Sequence, residues 1–199
     1  MNVTTWFLHM LGPSARTPRP LPEGVRLERA TGNTPEYARF LYALVGGNWH
    51  WTDRLDWTRQ QWADELAVPG CEFRILYGEG VPMGFVQLQP VVETDGTHVE
   101  LLRFGLAEQA IGRGLGGRFL EHGIAAAWSL HDRAGIPPVA RMWLHTCSLD
   151  GPAALANYQA PGLVAHKAED AHENVPDQPL GAWASTGGPG PTTGGDSGR

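Results

Sequence analysis

The segment HVELLRFGLAEQAIGRGLGGRFLEHGI, residues 98–124, contains the pattern that decides the fold. Strand-like residues run up to Leu106, and four glycines follow between residues 112 and 117. Beyond them, Leu120 and Ile124 continue an apolar pattern at helical spacing. The segment therefore predicts a strand, a glycine-rich turn and a helix whose N-terminus can bind an anion.

The glycine loop fits two signatures. Gly112, Gly114 and Gly117 form G-x-G-x-x-G, the fingerprint of dinucleotide-binding folds. Gln109, Gly112 and Gly114 form Q-x-x-G-x-G. Because the two signatures imply different cofactors, the surrounding residues must decide between them.

The dinucleotide interpretation is weakened by the position of its acidic residue. That fold needs an Asp or Glu about 20 residues after the glycines, at the end of the next strand, to bind the ribose. Asp132 has the required spacing, but it precedes the next strand-like run, residues 139–148. The chain also lacks the repeated β-α units that complete such a sheet. We therefore prefer the second signature.

In the second interpretation, successive N–H groups from Ala110 to Gly116 form a concave anion site that the helix dipole reinforces. Glycine at positions 112 and 114 allows close approach of the backbone, and Arg113 adds a positive charge at the rim. A glycine turn that merely starts a helix would have the same local sequence. The neighbouring elements therefore decide the interpretation.

The composition indicates one soluble globular domain. The chain has 199 residues, of which 42% are hydrophobic and 18% charged, with a net charge of −6. It contains no apolar run of the ~18 residues that a membrane span needs, and no basic block that favours nucleic acid. Its start, MNVTTWFLHML, lacks a basic leader. We therefore expect a cytoplasmic protein with small-molecule partners, neither nucleic acid nor membrane.

Two cysteines, Cys71 and Cys147, lie far apart in strand-like runs. This spacing argues against a disulfide framework and against a zinc site. We expect both to be small buried side chains, and we expect no metal.

The order of elements indicates an α+β domain over residues 1–170. The runs follow as β, β, α, α, β, β, β, α, β, α, β, so strands occur in blocks rather than in strict alternation with helices. Thr34-Pro35-Glu36 starts the first helix, and an amphipathic run over residues 54–66 predicts the second, with Trp62 on its buried side. Residues 171–199, rich in Gly and Pro, are expected to form a disordered tail.

Together these features resemble the GNAT (Gcn5-related N-acetyltransferase) superfamily. The resemblance rests on the opening segment and on ANYQAPGL, residues 156–163, which is similar to the family's closing Tyr-x-x-x-Gly-Phe motif. It implies a mostly antiparallel sheet with splayed middle strands flanked by helices. It also implies acetyl-CoA as co-substrate, with the pyrophosphate on the glycine loop and the pantetheine arm between the splayed strands. The implied cofactor-binding residues are Phe104, Gly105, Leu106, Gln109, Ala110, Ile111, Gly112, Arg113, Gly114, Leu115, Gly116 and Asn157.

The resemblance further implies two catalytic residues. Glu100 lies on the strand before the loop, where many members carry the carboxylate that deprotonates the amine. Alternation predicts His98, Glu100, Leu102 and Phe104 on one face of this strand, so His98 is a second candidate. Tyr158 matches the tyrosine that protonates the departing thiolate.

One position departs from the family pattern. Many members have an asparagine seven residues before the tyrosine, where it contacts the pantetheine, whereas residue 151 here is glycine. Asn157 and Asp150 are the candidates to replace that contact. Leu163 stands in place of the usual phenylalanine, which changes only the core.

Residues that bind the acceptor amine are expected in the loop between the first two helices and at the ends of the central strands. Trp49 and Trp51 predict an aromatic wall for a cationic or ring-bearing amine, and Asp53 a partner for its charge. Packing roles for the tryptophans and a helix-capping role for Asp53 are the alternatives. His98 and His145, on neighbouring strands, are further candidates for substrate contact.

The sequence therefore predicts an acetyl-CoA-dependent N-acetyltransferase that acylates the primary amine of a small molecule, such as an amino acid, an amine metabolite or an antibiotic, by direct attack in a ternary complex. Two alternatives stay open. One is a non-catalytic acyl-CoA-binding module, and the other is an enzyme of the same scaffold that performs O-acylation or thioester hydrolysis with His98 or His145 as base. Family members often form dimers, but no residue here argues for a homodimer.

Overall fold

A computed structural model describes residues 1–188 of the chain. These residues form a seven-stranded sheet in the order β2-β3-β4-β5-β6-β1-β7. The strands are β1 (Asn2–Met10), β2 (Val25–Arg29), β3 (Glu72–Gly78), β4 (Val81–Glu93), β5 (Gly96–Leu106), β6 (Val139–Cys147) and β7 (Val164–His172). The α-helices are α1 (Pro35–Gly46), α2 (Arg59–Leu66), α3 (Gly116–Trp128), α4 (His131–Ala134), α5 (Ala154–Gln159) and α6 (Gly181–Ser185). Glu108–Ala110 form one 3-10 turn.

The sheet opens at one place. Neighbouring strands are antiparallel except β5 and β6, which run parallel. β5 pairs with β6 only over residues 97–100, whereas β4 follows β5 to Leu106. Residues 101–106 of β5 therefore have no strand partner on the β6 side, and a gap opens between the two strands. The splayed, mostly antiparallel sheet expected from the sequence is confirmed.

Helices cover both faces of the sheet. On one face, α1 and α2 bury Leu41 and Trp62 against Phe85 of β4. On the other face, α3 packs Phe119 and Ile124 into a second core. Burial of one such large apolar side chain contributes about 1.5–3 kcal/mol. The gap thus lies between two packed layers.

Side-chain caps mark the first residues of α1 and α2. The Thr34 side chain accepts a hydrogen bond from the Tyr37 N–H, as the sequence predicts for the start of α1. α2 begins at Arg59 rather than at residue 54, because Thr58 and Gln61 form a capping box. The preceding residues are turns, and they carry the chain from α1 across the gap.

Strand β1 lies between β6 and β7. Phe7 is opposite His145 on one side and Lys167 on the other. The Thr4 hydroxyl donates to Asp170 Oδ1 at 2.6 Å. The first strand of the chain therefore completes the sheet beside the gap.

The C-terminal segment differs from the expected tail. β7 extends to His172, and α6 docks on the end of α1, where the Gly181 N–H donates to the Gly47 carbonyl at 2.7 Å. Backbone pairing with β1 and this docking supply order that the composition of residues 171–188 does not reveal. The remainder of the expected tail, residues 189–199, lies outside the described residues. No helix within residues 1–188 is long and apolar enough to cross a membrane.

Candidate active site

A cleft of about 610 Å³ lies at the gap between β5 and β6. Its walls come from both strands, from the α1–α2 loop (residues 47–58), from β1 and from α5. Three of the predicted residues that line it are Glu100, His145 and Tyr158. In the part of the chain that is described, no group of three or more His, Cys, Asp or Glu side chains is arranged to hold a metal ion.

Glu100 and His145 form a pair across the two strands. Glu100 Oε1 lies 3.2 Å from His145 Nδ1. The Glu100 side chain is 14% exposed and the His145 side chain 44%. His145 is thus the member of the pair that is more open to a molecule in the cleft.

The chemistry of the pair assigns its proton. An ionised carboxylate only accepts hydrogen bonds, so His145 Nδ1 is the donor and Nε2 is the free nitrogen of the neutral ring. The hydrogen bond to Glu100 raises the pKa of His145 above its usual value of 6.5, against the opposing effect of burial. The negative charges of Asp150 and Asp53 act in the same direction as Glu100. The pair therefore makes His145 a stronger base than an isolated histidine.

A β-bulge in β5 changes which side chains share a face of this strand. Leu101 pairs with Leu88 and Arg103 with Gln87, so Leu102 has no partner on β4 and the alternation shifts by one residue. Phe104 accordingly faces α3, where its ring lies 4.9 Å from that of Phe119. The expectation that Glu100 and Phe104 share a face is wrong for this reason.

His98 lies outside the cleft lining. Its Nε2 is 3.0 Å from the Asp95 carboxylate, near the β4–β5 turn. Its predicted contact with substrate, or role as base, is therefore not supported by its position. Glu100, two residues further along β5, is the residue at the edge of the gap.

Tyr158 lies on α5 and lines the same cleft. Its ring packs edge-on against Phe104 with centroids 6.1 Å apart. Desolvation, followed by the negative charge of Asp150, raises the pKa of the Tyr158 hydroxyl well above its usual value. Tyrosine is protonated at neutral pH even at its usual pKa of 10, so this shift keeps the hydroxyl neutral over a wider pH range and lowers its acidity.

Arg103 anchors the bulged part of β5 to α2. The Arg103 side chain is 6% exposed. Its guanidinium donates to Glu65 Oε1 at 2.5 Å and to Oε2 at 3.1 Å. It also bonds the Gln87 side chain and lies 5.3 Å from the centre of the Tyr42 ring. A buried charge with this many partners holds the strand rigidly at the edge of the gap.

The glycine loop has the geometry of an anion site at the start of α3. Gly112 and Gly114 have φ values of +78° and +71°, and the space beside each Cα is open. The Ala110 N–H donates to the Ala107 carbonyl and the Ile111 N–H to the Glu108 carbonyl, so these two groups are not available to a ligand. Among the described residues, the N–H groups of residues 112–115 donate to no backbone carbonyl. The predicted nest therefore shrinks to Gly112–Gly116, with Arg113 exposed at its rim.

Side chains of the remaining predicted cofactor residues are mainly structural. Gln109 Nε2 donates to the Pro82 carbonyl at 3.2 Å, which ties the loop to β4. Ala110 and Leu115 are buried in the core. Gly105 faces α1, where an added Cβ would lie 2.5 Å from Val45 Cγ1. Leu106 lies beside Gly116, where an added Cβ would be 3.7 Å from Leu106 Cδ1. These side chains therefore shape the loop.

A second cavity of about 830 Å³ adjoins the loop between α3 and α5. Its third wall is the segment of residues 11–24 that joins β1 to β2, here called the strap. The strap is fixed to α3 because Arg19 Nη2 lies 2.7 Å from Glu121 Oε1 and Arg118 donates to the Pro20 carbonyl at 2.6 Å. Asn157 lines this cavity and not the first, so it does not replace the missing asparagine beside Tyr158.

Of the two tryptophans predicted to form an aromatic wall, only Trp51 lines the cleft, with its ring 5.5 Å from that of Tyr42. Asp53 also lines it and accepts a hydrogen bond from the Tyr42 hydroxyl at 2.5 Å. Trp49 instead lies over Gly151, where an added Cβ would be 3.1 Å from its Cη2.

Several cleft residues were not identified from the sequence. Tyr42 lines the cleft from α1, Trp143 from β6 and Phe7 from β1. Trp143 stands two residues before His145, so strand alternation could have found it. The position of Phe7 depends on the pairing of β1 with β6, for which no local signal exists.

A sheet that opens between two parallel strands, beside a glycine loop at a helix N-terminus, defines the GNAT class of acyltransferases. The sequence profile of the acetyltransferase (GNAT) family matches residues 35–160. The chain therefore belongs to the acetyltransferase (GNAT) family, and the family expected from the sequence is confirmed. No curated protein matches the sequence.

Solved structures share the fold at low identity. The GCN5-related N-acetyltransferase from Sphaerobacter thermophilus is 14% identical, with a TM-score of 0.53, and the match covers 83% of this chain and 49% of that one. The GCN5-related N-acetyltransferase from Kribbella flavida is 18% identical, with a TM-score of 0.53, covering 84% and 56%. A tandem GNAT protein from the clavulanic acid biosynthesis pathway is 14% identical, with a TM-score of 0.55, covering 87% and 54%. This chain thus spans about half the length of these neighbours.

Proposed function

We propose that this chain is an acetyl-CoA-dependent N-acetyltransferase that acylates the primary amine of a small molecule by direct attack in a ternary complex. The observation that carries the proposal is that the Glu100–His145 pair and Tyr158 line one cleft. A base and an acid that reach the same cleft are what acyl transfer from a thioester to an amine requires.

The residues at the gap fit an acyl-CoA. The edge of β5 at residues 101–106 offers unpaired backbone groups to the amides of a pantetheine arm. The N–H groups of Gly112–Gly116 suit a pyrophosphate, and the second cavity, lined by Asn157, suits the adenosine end. When bound, acetyl-CoA supplies an acetyl group activated as a thioester.

The Glu100–His145 pair serves as the base. Glu100 accepts the Nδ1–H and orients the ring, and Nε2 accepts the proton that the amine loses. The raised pKa of His145 increases its proton affinity, and the Glu100 carboxylate stabilises the imidazolium that forms. This assignment gives the expected base, Glu100, the role of a partner to His145.

Tyr158 serves as the acid. Its hydroxyl is protonated at neutral pH, as in any tyrosine, and from the lining of the cleft it supplies a proton to the departing thiolate. The edge-on contact with Phe104 fixes the ring beside the gap.

The acceptor is held at the end of the cleft formed by the α1–α2 loop. Trp51 offers an aromatic face to a cationic amine, and Asp53 offers a carboxylate. The hydrogen bond from Tyr42 and the ion pair with Arg54 hold that carboxylate in place.

The proposal is tested by thiol release from acetyl-CoA across a panel of amines, amino acids and aminoglycosides. We expect Glu100→Gln and His145→Gln each to lower kcat by about 10²–10⁴. The double variant is expected to be no worse than the more damaged single variant, because the two residues act as a unit. Glu93→Gln, an exposed carboxylate at the end of β4, is the matched control and should leave kcat unchanged.

Product mass separates the alternatives. An acylated amine supports the proposal, an acylated hydroxyl indicates O-acylation, and free acetate indicates thioester hydrolysis. Binding of acetyl-CoA with no thiol release for any amine would leave a binding module. A thermal shift with NAD(H) and none with acetyl-CoA would refute the proposal altogether.

A further inference from the structure

The α1–α2 loop supplies four residues to one end of the cleft, His50, Trp51, Asp53 and Arg54. The position of this loop therefore sets the shape of the proposed acceptor site. The donor end of the cleft and the glycine loop belong to other elements, β5 and α3. A contact that fixes the loop therefore acts first on the acceptor end.

Helix α6 fixes the first residue of the loop. The Gly181 N–H donates to the Gly47 carbonyl at 2.7 Å. Gly47 is buried, and an added Cβ there would lie 2.7 Å from the backbone of Ala182. Ser185, on the last turn of α6, is 4% exposed. Helix α6 is thus in direct backbone contact with the point where α1 becomes the loop.

Trp49 fixes the middle of the loop to the far side of the cleft. Its indole covers Gly151 in the β6–α5 connection, and an added Cβ there would be 3.1 Å from Cη2 and 3.3 Å from Cζ3. Trp51, two residues on, packs on Gly46 of α1 and 6.3 Å from the Phe85 ring. The loop is therefore held at several points, and α6 provides the contact at its first residue, Gly47.

We propose that α6 is a latch that positions the α1–α2 loop and thereby sets the affinity for the acyl acceptor, with Gly47 as the positioning residue that makes the contact possible. The effect on the acceptor rests on the proposed function. The contact itself does not, so loop order can be measured without any substrate. We expect the latch to act mainly on the acceptor end, because within the described residues neither α6 nor Gly47 bonds the backbone of the glycine loop. The α1–α2 loop meets the donor side at Asn48, whose Nδ2 lies 3.4 Å from Glu108 Oε2, and at Trp51, which lies beside Gly105.

Gly47→Ala tests the latch. Gly47 has φ −58°, a helical value that alanine adopts freely, so the added methyl acts only through its collision with Ala182. We expect the KM for the amine to rise about fivefold or more, with kcat and the KM for acetyl-CoA within about twofold of the parent. Gly32→Ala is the matched control, since nothing lies within 4 Å of its added methyl.

Ser185→Leu perturbs α6 itself, the helix whose Gly181 and Ala182 contact Gly47. It places bulk at a buried position of the helix and is expected to reproduce the split between the two KM values. Backbone amide exchange in residues 47–57 is expected to accelerate in both variants and not in Gly32→Ala.

Two results overturn the latch. One is unchanged amide exchange and unchanged acceptor KM in both variants. The other is an equal rise of both KM values, which would make α6 a general stabiliser. If the parent released no thiol with any amine, the proposed function would fail, while amide exchange would still decide whether α6 orders the loop.

Discussion

The glycine loop and the cleft are built in opposite ways. The loop is made of consecutive residues, Gly112–Gly116, whose backbone conformation and free N–H groups follow from local sequence. The cleft gathers side chains from β1, α1, the α1–α2 loop, β5, β6 and α5. The proposed pyrophosphate site is therefore encoded in one short segment, and the proposed acceptor site in the assembled fold.

This difference implies that the two ends can be altered separately. A change in the loop should affect acetyl-CoA binding, because it alters backbone donors. A change in the cleft should affect turnover or the acceptor, because it alters side chains that meet only after folding. Each of the following predictions tests that separation.

Outside the Glu100–His145 pair, the largest expected effect is that of Tyr158→Phe on turnover. Loss of the hydroxyl removes the proposed proton donor, so we expect kcat to fall by about 10–10² with little change in acetyl-CoA binding. Single-turnover thiol release and a thermal shift with acetyl-CoA measure the two quantities. Tyr37→Phe is the control, since the Tyr37 hydroxyl bonds Tyr77 at 2.5 Å outside the cleft. An unaltered kcat in Tyr158→Phe would remove the acid from the mechanism.

Gly114→Ala is expected to act on binding instead. Its φ of +71° strains any other residue, and relief of that strain of about 1–2 kcal/mol would move the N–H groups of the loop. We expect the Kd for acetyl-CoA to rise about tenfold while kcat at saturation is preserved.

Gly80→Ala is a closely matched control for this change. Gly80 has φ +83° and open space around it, but it lies in the β3–β4 turn. Both variants should lose similar stability in urea unfolding, and only Gly114→Ala should lose affinity. Equal affinities in the two variants would mean that the glycine loop does not bind the donor.

The smallest expected effect is the pH dependence of the Glu100–His145 pair. The folded pKa of His145 is raised, so the imidazolium–carboxylate attraction stabilises the fold fully below the unfolded value of 6.5 and is lost as pH rises through the folded value. The neutral form of the His145 ring, which accepts the proton, becomes populated as the pH rises through the same pKa. We therefore expect kcat/KM to increase with pH above 6.5 while the free energy of unfolding decreases slightly.

Glu100→Gln should move the ring titration, followed by NMR, towards lower pH. The Gln side chain can still accept the Nδ1–H but carries no charge, so the attraction for the imidazolium is weakened. A His145 titration that does not move would show that Glu100 is not its partner in solution.

Local signals explain what could be predicted from the sequence. Gly112 and Gly114 occupy positions with positive φ that favour glycine, so the loop was visible in the sequence. The strand before the loop and the Tyr158 motif identified residues that do lie at the cleft. Gln61 follows Thr58 at capping-box spacing, so the start of α2 has a local signal, whereas the amphipathic pattern alone predicts a start at residue 54.

Features that depend on pairing could not be predicted. The bulge at Leu102 arises from the register between β4 and β5, which no property of β5 alone specifies. The Glu100–His145 contact needs β5 and β6 in parallel register over only a few residues. The contact of Trp49 with Gly151 joins two loops that are distant in the sequence. The sequence indicates only that residue 151 is unusual, because it is glycine where many family members have asparagine.

The position of β1 has a consequence for how the protein folds. Val3 pairs with Ala171 and Phe7 with His145. The partners of β1 therefore lie more than 100 residues away in the sequence, and β1 joins the sheet only after loops of that length have closed. Closing such long loops is entropically costly and slow. The β6–β1–β7 half of the sheet, and the part of the cleft wall that Phe7 provides, is therefore expected to form in the last kinetic phase of refolding. Acceptor binding should appear on that slow phase, after the local α3 segment has already acquired its helix.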